Sequence, residues 1–92
     1  MRIEFSKKAA KFLKKLDKEI GKQVRSKILL LRKSLEEKKA IPFDELDIKR
    51  LKGNWQGFLR IRVGQIRIII TVAIEDERIY VYDICFRGDA YG

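Results

Sequence analysis

Residues 58–87 read FLRIRVGQIRIIITVAIEDERIYVYDICFR, and apolar and polar side chains alternate through most of this stretch. A period of two marks extended chain with one face buried. Breaks in the alternation divide the stretch into three predicted strands, at 58–63, 65–74 and 78–86. The connectors, Gly64 and Glu75-Asp76-Glu77, are short enough to predict an antiparallel meander. On the first strand Leu59, Ile61 and Val63 share one face, with Arg60 and Arg62 opposite. On the second, Ile66, Ile68, Ile70, Val72 and Ile74 form an apolar face, and Arg67 points away from it. On the third, strict alternation puts Tyr80, Tyr82, Ile84 and Phe86 on the apolar face and Asp83, Cys85 and Arg87 opposite. Arg60, Arg62, Arg67 and Arg87 therefore converge on the uncovered side of the sheet. A lone strand arginine is ordinarily a solvated charge. Several guanidiniums on one face, with few carboxylates among them, repel one another unless an anion binds there.

Upstream of the meander the period changes. Arg2–Phe5 alternates as a short first strand. Ser6 is a good N-cap for a helix over 7–16, whose inner face carries Ala9, Leu13 and Leu16 with Phe12 beside them. Asp17 can cap a second helix reaching about Lys39, with Ile20, Val24, Ile28, Leu31 and Leu35 as its buried stripe. Gly21 inside that helix costs about 1 kcal/mol relative to alanine. Residues 40–49, with Pro42, Asp44, Glu45 and Asp47, read as a connector, and Lys52-Gly53-Asn54 as a turn. The order strand, helix, helix, three strands predicts an α+β class, a helical hairpin packed on one face of a small antiparallel sheet.

The chain has 92 residues, a length that predicts one domain over 1–92. Its 46% hydrophobic and 38% charged residues indicate a folded chain rather than a disordered one. The net charge of +9 is unevenly placed: residues 1–39 hold 14 Lys and Arg against 5 acids, while residues 40–92 are balanced. Most basic residues of the helices are lysines, suited to a solvated face, whereas those of the sheet are mainly arginines, suited to phosphate. The overall balance suits a polyanion or an acidic protein.

Composition also excludes several chemistries. There is no histidine, so neither a two-imidazole acid–base scheme nor a Ser-His-Asp triad is available. No Cys/His cluster can hold zinc, and no glycine-rich loop cradles a nucleotide, so neither a metal nor a cofactor is expected. The single cysteine, Cys85, forms no intrachain disulfide and, without a base beside it, reads as an inert small residue. No stretch is long and apolar enough to span a membrane, and lysines interrupt every apolar cluster of the first twenty residues. A cytoplasmic chain is the expectation. Trp55, in the loop before the strands, reads as a core or lid residue rather than a platform for bases. Tyr91, near the chain end, suits rim packing, base stacking or proton donation.

Taken in order, Ser6-Lys7-Lys8-Ala9-Ala10-Lys11 with Leu13 and Leu16, Leu51-Lys52-Gly53, the strand Leu59–Ile69 and the closing Ile84-Cys85-Phe86-Arg87 resemble the RelE/ParE toxin superfamily. Within it they are most similar to the RelE-like messenger-RNA interferases of archaeal type. The resemblance covers essentially the whole chain and implies the same helical hairpin on a sheet. It further implies a toxin of a type II toxin–antitoxin pair. The likeness to the interferases implies a ribosome-dependent endoribonuclease that cuts translated mRNA by attack of a ribose 2′-OH on the adjacent phosphate. It implies Arg60, Arg67, Arg87 and Tyr91 as catalytic residues, and Arg62, Lys52 and Leu51 as RNA-binding residues. Arg60 and Arg62 stand where the bacterial enzyme has lysines, which removes the best candidates for a general base, since guanidinium stays charged. The implied partners are the ribosome with its mRNA and a RelB-like antitoxin, acidic and helical, in a hetero-oligomer. The alternatives are a ParE-like gyrase inhibitor without nuclease activity, or a non-catalytic basic RNA-binding domain.

Overall fold

A computed structural model describes residues 1–88. The first strand, β1 (Arg2–Phe5), runs into Ser6, and the chain turns there into α1 (Lys7–Lys15). Ser6 is extended, and its Oγ accepts a 3.0 Å hydrogen bond from the Ala9 N–H, the cap its position predicts. Ala9 and Leu13 are buried. Leu16 returns to an extended backbone and ends the helix. The second helix, α2 (Lys18–Lys38), starts at Asp17, whose carbonyl accepts from the Gly21 N–H while its side chain makes no capping bond. Its buried stripe is Gly21, Val24, Ile28, Leu31 and Leu35, with Ile20 half-buried at the margin. Lys39 ends it in a left-handed conformation.

The remaining strands are β2 (Ile48–Arg50), β3 (Leu59–Val63), β4 (Ile66–Ala73) and β5 (Arg78–Phe86), with one tight helical turn at Gly53–Trp55. They form one five-stranded sheet in the order β1-β5-β4-β3-β2. Both helices cover one face. Leu59, Ile61, Val63, Ile66, Ile68, Ile70, Ile79, Val81 and Ile84 join the helical stripes in the core. Ile61, Ile68, Ile70 and Ile79 are completely buried, and burying one such side chain contributes about 1.5–3 kcal/mol.

The predicted α+β class holds, with three differences in the sheet. First, β1 pairs with β5 in parallel, so the sheet is mixed rather than wholly antiparallel. Second, the acidic connector contains β2, a short edge strand antiparallel to β3. Third, β5 carries a bulge. Ile69 stands opposite Asp83 but Ile70 stands opposite Val81, so Tyr82 is the extra residue. An extra residue reverses which side chains face inward. Ile84 and Phe86 lie on the helix side as expected, but Ile79 and Val81, not Tyr80 and Tyr82, continue that face. Tyr80 joins Asp83 and Cys85 on the helix-free side.

Candidate functional site

The helix-free face of the sheet is built in cross-strand rows. At the β3–β4 hairpin the row is Arg62 opposite Arg67, with Arg67 opposite Cys85. Gly64 closes that hairpin at φ +56°, a left-handed conformation that suits glycine. Arg87 follows the end of β5, and its backbone N–H donates to the Gln65 carbonyl at 2.6 Å. That bond ties the β5 end to the hairpin, so Arg62, Arg67 and Arg87 gather at one corner of the sheet. Like charges directly opposite one another destabilise a strand pair. Among the described residues no carboxylate forms an ion pair with Arg62 or Arg87. The corner therefore concentrates positive charge of the kind that suits an anion.

The next row runs Lys49, Arg60, Ile69, Asp83. Here the structure separates Arg60 from the other arginines. Arg60 is only 5% exposed. Its Nη1 lies 3.5 Å from the Asp47 carbonyl and 3.7 Å from the Asp47 carboxylate. It braces the backbone just before β2, where Asp47 has a positive φ of 50° and its carbonyl also accepts from the Arg62 N–H. At the other end of the row Asp83 is 4% exposed, and Lys8 of α1 reaches it at 3.3 Å.

Beyond that row lies an aromatic group that sequence reasoning missed as a unit. Trp55, Phe58 and Tyr82 meet edge to face, with ring centroids 5.1–5.4 Å apart, and Tyr80 stands 6.4 Å from Tyr82. Tyr82 reaches this group because of the bulge. The Tyr82 carbonyl is held by the Ser6 hydroxyl at 2.6 Å.

Leu51 and Lys52 lie at this end, away from the arginine corner. They line an open cleft of about 590 Å³ with Arg50, Gln56, Gly57 and Phe58. The length of β3 separates them from the corner, about 14 Å of strand. The residues singled out from sequence thus form two groups, Arg62, Arg67 and Arg87 at one end and Leu51 and Lys52 at the other, with Arg60 buried between. Tyr91 lies outside the described residues. Among those residues no cluster of His, Cys, Asp and Glu forms a metal-binding group, and no helix is long and apolar enough to cross a membrane.

A family model described as the ParE toxin of a type II toxin–antitoxin system matches residues 3–91. The chain belongs to the RelE/ParE toxin superfamily. Solved structures of the superfamily share its fold. The archaeal RelE–RelB complex from Pyrococcus horikoshii OT3 is 28% identical over 97% of each chain, with a TM-score of 0.69. The RelB–RelE antitoxin–toxin complex from Methanococcus jannaschii is 29% identical over 92% of this chain and 91% of its own, with a TM-score of 0.65. The isolated E. coli RelE toxin superposes with a TM-score of 0.70 over 97% of this chain and 86% of its own, at 18% identity, a likeness of fold. No curated protein sequence matches the chain. The chain is thus a type II toxin whose helix-free sheet face carries a corner of three arginines, Arg62, Arg67 and Arg87.

Proposed function

We propose that this toxin is a ribosome-dependent endoribonuclease that cuts translated mRNA. The observation that carries the reading is the corner where Arg62 faces Arg67 and Arg87 closes the rim, with Arg62 and Arg87 free of carboxylates among the described residues. A phosphodiester is the ligand this corner suits, because guanidinium forks bind two phosphate oxygens at once. In the proposed reaction the ribose 2′-oxygen bonds to phosphorus and the bond from phosphorus to the 5′-oxygen breaks. The products are a 2′,3′-cyclic phosphate and a 5′-hydroxyl. The arginines stabilise the extra negative charge of the pentavalent transition state and hold the 2′-oxygen in line. Guanidinium takes up no proton at neutral pH, so the 2′-OH proton leaves to water and the 5′-oxygen gains one from Tyr91 or water. In such a mechanism the rate rests on alignment, which the ribosome supplies by holding the message. Arg60, buried against Asp47, positions β2 and β3 rather than touching phosphate.

The partner of the toxin, on this reading, is a RelB-like antitoxin that is acidic and helical. The archaeal relatives were solved as complexes with RelB, and the charge of +9 attracts an acidic chain. A gyrase-inhibiting role is the second reading. It is favoured by the ParE description of the matching family model and by the withdrawal of Arg60 from the exposed arginines.

The test incubates purified toxin with mRNA alone, with mRNA on programmed ribosomes, and with gyrase and relaxed plasmid. The expected result is cutting on the ribosome only, abolished in Arg87→Ala. Tyr91→Phe in the same assay reads the tyrosine's share. Intact mRNA with blocked supercoiling would move the assignment to the gyrase inhibitor.

A further inference from the structure

We infer that Trp55, Phe58 and Tyr82 form a stacking site for a base of single-stranded RNA, on the sheet face of the arginine corner but toward its other end. The inference rests on the nuclease reading for the identity of its ligand and goes beyond it in placing a second subsite. The rings meet edge to face, at interplanar angles of 67–80°, so the cluster does not stack face against face within itself. Tyr82 is 39% exposed. It owes its place to the bulge. Without the extra residue Tyr82 would share the helix side with Ile84, and a bulge is the device that re-aims a side chain in this way.

Cations flank the aromatic group on both sides. Lys52 lines the cleft against Phe58, while Arg50, opposite core residue Leu59, lies over the Phe43 ring instead. In the other direction the Cys85 row, with Arg67, begins three residues along β5, about 10 Å away. The acids nearby are already engaged: Asp47 with Arg60, and buried Asp83 with Lys8. Aromatic side chains between phosphate-binding cations are what a single strand needs, because its bases unstack onto rings while its backbone follows the charges. A lid over Ile69 and Arg60 would explain the ring packing. It would not explain an exposed Tyr82 or a lysine-rimmed cleft. With the arginines on the scissile phosphate, the ring cluster takes the base of a neighbouring nucleotide and sets the strand's register.

Trp55 is the only tryptophan of the chain, so its fluorescence reports on this site alone. The probe is a hexaadenylate methylated at every 2′-oxygen, which cannot be cut. The comparison is an abasic strand of equal length and chemistry. The adenylate strand is expected to quench Trp55 and to bind about 5- to 150-fold tighter than the abasic strand. Tyr82→Ala is expected to shrink that gap, whereas Arg87→Ala weakens both strands alike. Equal binding of the two strands by the wild-type toxin, with unchanged fluorescence, overturns the inference whether or not Tyr82→Ala folds. A retained gap in folded Tyr82→Ala overturns it as well. Since the probe is not cleaved, message cutting without quenching sinks the stacking site and leaves the nuclease standing. Quenching without cutting does the reverse.

Discussion

Arg60 and Arg87 look alike in the sequence but stand in opposite surroundings, one buried beside Asp47 and one exposed, and substitution can test the division of roles proposed for them. Arg60→Ala removes two buried methylenes, about 0.8 kcal/mol each. It also removes the guanidinium bond to Asp47, which contributes about 1 kcal/mol at most because its distances, 3.5 and 3.7 Å, are long. Asp47 is half-exposed, so its charge stays solvated when Arg60 is lost and adds no large penalty. The burial of the stem therefore outweighs the ion pair. The expected cost is about 2–3 kcal/mol, a fall of roughly 10–20 °C in Tm for a chain of this size. Arg60→Met keeps the stem and gives up about 1 kcal/mol. Arg87 is exposed, and Arg87→Ala is expected to change stability by no more than about 0.5 kcal/mol. Thermal and urea unfolding followed by circular dichroism give the three values, and cutting on programmed ribosomes gives the activities. Arg60→Met should cut mRNA and Arg87→Ala should not. An Arg60→Ala variant that melts with the wild type, or an Arg60→Met variant as inactive as Arg87→Ala, would refute the division.

Other expectations concern the scaffold. Ser6→Ala loses the cap on Ala9 and leaves the Tyr82 carbonyl of the bulge without its hydroxyl donor, so urea unfolding should show a loss of about 1–2 kcal/mol. Gly64→Ala should cost about 1–2 kcal/mol in the same assay, through backbone strain alone, because φ is +56° and open space surrounds the added Cβ. Glu36 accepts from the N-terminal ammonium at 2.6 Å, and that bond holds its carboxyl below the ordinary 4.5. A carboxyl lowered on folding contributes stability above its unfolded value and loses it as pH falls through the folded one. Melting curves of wild type and Glu36→Gln should thus differ at neutral pH and converge as the pH drops below 4.5.

Local signals in the sequence gave both helices nearly to the residue, because Ser6, the apolar stripes and the period of two all act within a few positions. The face shared by Arg62, Arg67 and Arg87 was legible for the same reason. What escaped depends on partners distant in the chain. The four residues of β1 read the same whether paired parallel or antiparallel, and only their docking on β5 decides. The strand β2 is three residues on an edge, too short for any period to show. The bulge left a signal that strict alternation ignores. The aliphatic residues of β5 occupy odd positions at Ile79 and Val81, then an even one at Ile84. That change of parity implies one extra residue between, and it is what brings Tyr82 to Trp55. The burial of Arg60 left none, because its alternation matches that of Arg62, and only the fold of the Asp47 segment distinguishes them.

The most direct test of the central claim is mapping of RNA 5′ ends after brief induction in translating cells, with wild type beside Arg87→Ala. The account predicts new 5′-hydroxyl ends inside translated messages that vanish in the variant. Growth arrest with intact messages and double-strand DNA breaks would contradict it.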